Sequence, residues 1–320
     1  MRALRFDRYG STDVLKVDVL SEPVPRPGQA KVRVHAAALN PIDWKVRAGD
    51  FRLFPLFQGP PRGLGCDFAG EVVAIGGGAT ERHVGERVLG SLIPFARDGA
   101  LAEFVVVAYD RILPIPDGID DTTAAALPIS GGTALQGLID EAGAVAGQRV
   151  LVNGAAGGVG HFAVQIAKHL GTHVVGVCSA DNAEFVRSLG AVEAIDYTRD
   201  DFTKRSDRFD VVFDAAGTSS FDAAKKVLTE FGCYLNTSGT IGAAATTALS
   251  AVIARFTSRQ RAIPLVLRSG PSMWHRLLHL VHSGAMRPHV ERTIALDEVP
   301  SALGGMETGH GRGKIVVRMG

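Results

Sequence analysis

Cysteine is scarce in this chain: Cys66, Cys178 and Cys233 are three residues among 320, odd in number and far apart. That argues against a disulfide framework and suits a reducing compartment. An excess of either charge is also missing, since 34 Lys and Arg stand against 33 Asp and Glu. The balance leaves no electrostatic case for a nucleic-acid partner. The N-terminus, Met1-Arg2-Ala3-Leu4-Arg5-Phe6-Asp7, enters strand-like sequence at once and lacks the apolar core of a signal peptide. Long hydrophobic runs are absent too. The weakly polar stretch from Ile241 to Ile253 contains Thr246, Thr247 and Ser250 and is too short to span a bilayer. A cytoplasmic protein with no membrane partner is expected.

Glycine is what the chain has in quantity, 38 residues, which fits a fold with many tight turns and close backbone approaches. The first 120 or so residues read as mostly β. Lys31-Val32-Arg33-Val34-His35-Ala36 alternates with period two, and Gly70 to Gly76, Glu86 to Gly90 and Ala102 to Val107 add short strands. From Asp121 the rhythm changes to alternating helix and strand. A helix is expected from Thr122 to Gly137 around Pro128, then strands at 150–153, 173–178, 194–196, 210–214 and 233–237. Such alternation predicts a parallel, doubly wound sheet with ligands at the carboxyl ends of its strands. The tail Lys314 to Arg318 is again a β strand, expected to return to the first domain.

One junction in this pattern carries chemistry. Arg149-Val150-Leu151-Val152 reads as a buried strand, and Ala155, Gly157 and Gly160 follow at the A-x-G-x-x-G spacing of a dinucleotide turn. Phe162, Val164, Ile166, Ala167 and Leu170 then suit a helix packed on a sheet. Small residues in such a turn let backbone N–H groups approach a pyrophosphate at the helix N-terminus.

Asn40-Pro41-Ile42-Asp43-Trp44-Lys45, Gly65-Cys66-Asp67-Phe68-Ala69-Gly70-Glu71-Val72, Val84 to Val88, Ala155 to Gly160 and Arg312-Gly313-Lys314-Ile315-Val316 occur in that order. Together they resemble the medium-chain dehydrogenase/reductase superfamily, specifically its zinc-independent quinone oxidoreductase-like branch, over essentially the whole chain. The resemblance implies an α/β protein: a discontinuous GroES-like β-rich catalytic domain (1–122 and 292–320) and a doubly wound Rossmann NAD(P)-binding domain (123–291), with the active site in the cleft between them. Zinc-dependent relatives have a Cys where this chain has Asn40 and a His-Glu pair where it has Cys66-Asp67. They also carry a lobe with four closely spaced cysteines, missing here. Zinc needs three or four converging Cys, His or carboxylate ligands, so no metal is expected, and Cys66 reads as a small buried hydrophobe. Without a Lewis acid, alcohol oxidation loses its usual means of stabilising an alkoxide. Reduction of a quinone or an activated C=C needs an oriented hydride donor and hydrogen-bond donors near the developing oxyanion.

By the same resemblance Asn40 is the substrate-side amide; its other reading is a cap on the turn before Pro41. Asp43 fixes the loop around Asn40 or Lys45. Lys45 stands where several quinone reductases have a Tyr, so a tyrosine proton donor does not transfer; it holds the ribose, polarises the substrate carbonyl or is merely solvated. Thr133 is placed beside the nicotinamide, or bonds back to its own helix. Asn153, Ala156, Gly157, Gly158, Val159 and Gly160 line the pyrophosphate turn. Ala215, Ala216 and Gly217, with Ser238 and Gly239, end the strands toward the nicotinamide half, and Lys314 belongs to the cofactor set.

An NAD site places an acid about twenty residues past the glycine turn. Ser179 stands nineteen residues after Gly160, which favours NADPH over NADH. Asp181 occupies the place of a basic residue common in relatives and reads as a helix cap. Tyr197 resembles a tyrosine that reaches the adenosine phosphate, and Arg199 supplies charge. His275, His279 and His282 at helical spacing read as a solvated face rather than a metal site. The apolar segment around Ile263 to Leu267 reads as a sheet edge, which by resemblance pairs in a homodimer. The resulting expectation is an NADPH-dependent reductase of quinones or enones. The alternatives are an enoyl thioester reductase on the same scaffold and a non-catalytic NADPH-binding protein.

Overall fold

The strands come in two kinds, and the difference is written in their burial. Gln29–Ala38 alternates buried and accessible positions over most of its length, as an antiparallel strand with one face on a core does. Arg149–Asn153 is buried at every position after the first, as a parallel strand covered on both faces must be. The computed structural model describes all residues except 54–57, 79–80, 95, 238–240, 310 and 320, and omits seven side chains within the helix Ile241–Thr257.

The chain divides into two units, Met1–Ile129 with Ser269–His282 and Val290–Gly320, and Ser130–Arg268 with Ser283–His289. In the first unit a seven-stranded sheet runs in the order Val290–Ala295, Lys314–Arg318, Gln29–Ala38, Asp67–Ile75, Arg87–Ser91, Ile112–Pro114, with Phe104–Ala108 also pairing to Gln29–Ala38. The C-terminal strand therefore lies beside strand 29–38, pairing Val316 with Ala38. Phe6, Val32, Phe68, Val72, Leu101 and Val317 fill the core between this sheet and a smaller three-stranded one.

In the second unit six parallel strands run in the order Glu193–Asp196, His173–Cys178, Arg149–Asn153, Phe209–Asp214, Leu228–Asn236, Arg261–Pro264. Successive strands step outward in one direction from 149–153 and then in the other. The order therefore reverses at that strand, the topological switch point of a Rossmann sheet.

The helix expected over 122–137 is broken into Asp121–Ala125, Pro128–Leu135 and a π-helical stretch Gln136–Glu141. Pro128 has no N–H to continue the helix that ends before it, and Asp120 caps the first piece by accepting the Thr123 N–H at 2.8 Å. The ambiguous segment from Ile241 is a 17-residue helix, consistent with its high alanine content. No described helix is long and apolar enough to cross a membrane.

Candidate functional site

The dinucleotide turn sits at the carboxyl end of strand 149–153, where the sheet order reverses. Gly154 leaves the strand with φ +77°, in the left-handed region, and a Cβ there would lie 3.0 Å from the Ala216 nitrogen. The N–H groups of Gly154 and Ala155 donate to the Val177 carbonyl at 3.1 and 3.0 Å, holding the turn to the neighbouring strand. At Gly160 a Cβ would come within 2.0 Å of the Gly154 carbonyl oxygen, so packing alone dictates glycine there. Gly157 differs. The nearest atom to a Cβ at that position is the same oxygen at 3.4 Å, an ordinary contact. Its smallness is therefore not demanded by the protein itself, and it keeps the face of the turn open to a ligand. Among the described residues the N–H groups of Gly158 and Val159 have no backbone acceptor. They stand at the start of the ten-residue helix Gly160–His169, whose dipole favours an anion. The residues present fit a pyrophosphate.

Beside the turn, Asp214 ends strand 209–214, paired in register with Asn153. Its carboxylate is fully buried and accepts from Asn153 Nδ2 at 2.7 Å, from the N–H groups of Gly217 and Ser219 at 2.9 and 2.9 Å, and from the Tyr234 hydroxyl at 2.9 Å. Burial, and then Asp214 itself, pushes the Tyr234 phenol well above its ordinary value. One carboxylate thus shapes the Ala215-Ala216-Gly217 loop over the switch point. The sequence marks Asp214 only as a strand end, because nothing in the apolar run tells which way its side chain turns.

His161 and Gln165 are also absent from the sequence-based candidates. His161 Nδ1 lies 2.9 Å from the Gly157 carbonyl oxygen and its Nε2 lies 3.2 Å from the His289 N–H. Facing an acceptor with one nitrogen and a donor with the other, the ring is fixed as the neutral Nδ1–H tautomer. One turn later Gln165 exchanges two hydrogen bonds with Arg287, giving Nε2 to its carbonyl at 3.0 Å and accepting its N–H at 2.8 Å. These side chains fasten the helix of the turn to segment 283–289.

At the adenosine end, Cys178 is register partner of Asp196, so Ser179 and Tyr197 leave neighbouring strand ends, and the Tyr197 N–H donates to the Cys178 carbonyl at 3.1 Å. Ser179 accepts from Asn182 Nδ2 at 3.1 Å, while Asp181, Tyr197 and Arg199 are exposed. Arg205, close in sequence, is taken up by Glu193, Asp200 and Asp207. Thr133 is buried in helix 128–135. Ser238 and Gly239 lie outside the described residues.

The other candidates gather in the first unit. Asn40 precedes helix Pro41–Ala48 and is fully buried. Its Nδ2 donates to Asp67 Oδ2 at 2.9 Å and to the Ala38 carbonyl at 3.2 Å, and its Oδ1 accepts from the Lys314 ammonium at 2.6 Å. Both amide hydrogens are thus committed inside the protein, where the resemblance had one aimed at substrate. Lys314, expected on the cofactor, sends its ammonium into this cluster and also donates to the Leu39 carbonyl at 2.7 Å. Asp43 accepts the Asn40 N–H at 2.8 Å, and burial raises its pKa to about 7. Burial likewise pushes Asp67 up and Lys314 down, each shift opposed by the other's charge. Lys45, on the same helix as Asp43, holds its ammonium 5.5 Å from the centre of the Trp44 ring, and burial lowers its pKa.

Comparison with known proteins matches residues 26–117 to a family described as "Alcohol dehydrogenase GroES-like domain" and residues 189–317 to one described as "Zinc-binding dehydrogenase". The chain is 33% identical to the chloroplast envelope quinone oxidoreductase homolog of Arabidopsis thaliana, covering 99% of this chain and 98% of that one. It is 34% identical to the NADPH-dependent alkenal/one oxidoreductase of the same plant, covering 99% and 79%. The quinone oxidoreductase structure from Coxiella burnetii superposes with a TM-score of 0.89 at 34% identity, covering 100% and 99% of the two chains.

The zinc in one of those descriptions does not fit the residues present. Zinc needs three or four converging deprotonated ligands. Among the described residues no group of three or more His, Cys, Asp or Glu side chains is placed to hold a metal ion. Where relatives set ligands, this chain offers the Asn40 amide, Cys66 and Asp67, with an ammonium on that amide. Fold, ordered motifs and relatedness along its whole length agree: the chain belongs to the medium-chain dehydrogenase/reductase superfamily, in its quinone oxidoreductase-like branch.

Proposed function

We propose that this chain is an NADPH-dependent, zinc-independent oxidoreductase that delivers a hydride to a quinone or an α,β-unsaturated carbonyl compound, and that it acts as a homodimer in the cytoplasm. The observation that carries the reading is the turn at the sheet's switch point, with an open face at Gly157 and helix-start N–H groups at Gly158 and Val159. Those groups hold the pyrophosphate. Asp214 keeps the Ala215–Gly217 loop in the shape that lets a nicotinamide approach the strand ends. Ser179 in place of an acid leaves room for a 2′-phosphate, and exposed Arg199 supplies its counter-charge. When bound, NADPH supplies the hydride. Lys45, its pKa lowered by burial, is the side chain proposed to give the proton or polarise the carbonyl. Asn40 acts as a positioning residue, since its amide hydrogens are already spent on Asp67 and Ala38. Buried thiols at Cys66, Cys178 and Cys233 support a reducing compartment.

Rapid mixing of the enzyme with NADPH or NADH and either 9,10-phenanthrenequinone or a small enone tests the reading. Oxidation of NADPH that a chelator does not slow is expected. Binding of NADPH with no turnover of any acceptor would put the non-catalytic reading in its place.

A further inference from the structure

The cluster around Asn40 has a composition that apolar burial alone would not tolerate. Asn40 and Asp67 are 0% exposed, Asp43 and Lys314 2%, and Cys66 3%. Isolated charges at such depth are costly, and they persist where an opposite charge and hydrogen bonds compensate them. Here a single amide compensates two. Asn40 turns its oxygen to the Lys314 ammonium at 2.6 Å and its nitrogen to the Asp67 carboxylate at 2.9 Å. A carboxamide carries its acceptor and its donor on two separate atoms and so reaches both charges at once, whereas a cysteine or an aspartate at position 40 would leave one charge without its bond. The Asp67 carboxylate also accepts the Ile129 N–H at 3.2 Å, and the ammonium also holds the Leu39 carbonyl. The C-terminal strand, the corner before helix 41–48, strand 67–75 and the peptide at Ile129 are thereby joined through one polar knot.

We propose that the Lys314 ammonium is the built-in cation of this place in the fold, standing where zinc-dependent relatives seat their metal and shutting a divalent ion out. Three features carry this. The residues at the positions of those ligands, Asn40, Cys66 and Asp67, are the ones gathered around the ammonium. The ammonium is hydrogen-bonded to the side chain at position 40 and to the Leu39 carbonyl beside it, so a second cation there would meet its charge. Cys66 and Asp67 are two ligand side chains where zinc needs three or four, and among the described residues no third is placed with them to hold a metal ion. The cation in this chain is covalently attached and monovalent, and its work is to neutralise Asp67 and orient Asn40.

The test compares the full-length wild type with Asn40→Cys/Lys314→Ala after equilibration with Co(II) and gel filtration, reading metal content and absorption. Wild type should retain well under one equivalent of cobalt. The double variant should retain one equivalent and show a thiolate-to-cobalt charge-transfer band. Wild type that keeps one equivalent, or a folded double variant that keeps none, overturns the proposal. Since that variant removes a buried knot and can fail to fold, thermal midpoints of Lys314→Met, Asp67→Asn and the pair provide a second reading. Each single change strands a buried partner and should lower the midpoint by roughly 10 °C, while the pair should lower it by clearly less than the sum. Strict additivity would mean the two groups are not coupled, and the proposal falls.

Discussion

Gly157 and Gly160 look equivalent in the fingerprint, and their surroundings in the fold separate them. A Cβ at Gly160 would meet the Gly154 carbonyl oxygen at 2.0 Å, whereas at Gly157 the closest approach to that oxygen is 3.4 Å. Gly160→Ala should therefore damage the fold itself, with a loss of several kcal/mol expected of backbone overpacking, on the order of 1–3 or more. Gly157→Ala should leave the melting temperature nearly unchanged and weaken NADPH binding by about tenfold, since a methyl group of that size costs the ligand about 1.4 kcal/mol of lost approach. Calorimetric melting and fluorescence titration with NADPH, run on both variants, check the split; a Gly157→Ala protein with wild-type affinity would remove the pyrophosphate from that face. The spacing of the glycines was legible in the sequence because it is a matter of counting. Their division of labour was not, because it depends on which atom lies across the turn.

Elements were legible wherever one physical rule dominates. The continuous apolar run of strand 149–153 and the alternation in strand 29–38 follow from how many faces are covered. The single helix expected over 122–137 is helical in pieces instead, broken before Pro128, which has no N–H to continue the turn ahead of it. Side-chain knots such as those at Asp214 and Asn40 left no such trace, since a polar residue in an apolar segment looks the same whether it faces solvent or a buried partner. Helix 41–48 shows what such a knot does to an element. Asp43 in its first turn caps the Asn40 N–H, and burial, followed by nearby Asp67, overcomes that bond and raises its pKa to about 7. The unfolded chain releases the same proton near pH 4. Between those values the folded state binds more protons, so the sign of the linkage makes stability fall as pH rises. The contribution is complete below about pH 4 and gone above about pH 7. Asp43→Asn should flatten the denaturation midpoint against pH over this window, leaving only the share of Asp67, which is raised in the same direction. A variant as steep as the wild type would show that Asp43 stays ionised throughout.

At the scale of the whole molecule, the chain leaves the second unit after Arg268, enters the first for Ser269–His282, returns for Ser283–His289 and leaves again. No local pattern announces such excursions. They depend on contacts such as those of His161 and Gln165 with residues more than a hundred positions away. The second unit also ends in an edge that local chemistry does announce. Strand Arg261–Pro264 pairs only with strand 228–236 among the described residues, and Val266 just past it is 71% exposed. An open edge beside an exposed apolar side chain is a template for pairing with another chain. The arginines that flank this edge are drawn off it, Arg259 to Glu230 and Arg268 to Glu141, and Pro264 removes only one donor from the strand. The proposed homodimer places a second copy on this edge. Light scattering on the wild type should then give twice the chain mass, and Val266→Asp, which sets a carboxylate against its own symmetry mate, should shift the protein toward the monomer without lowering NADPH affinity. A wild type that scatters as a monomer at the highest soluble concentration would leave the edge to another covering and end the dimer proposal.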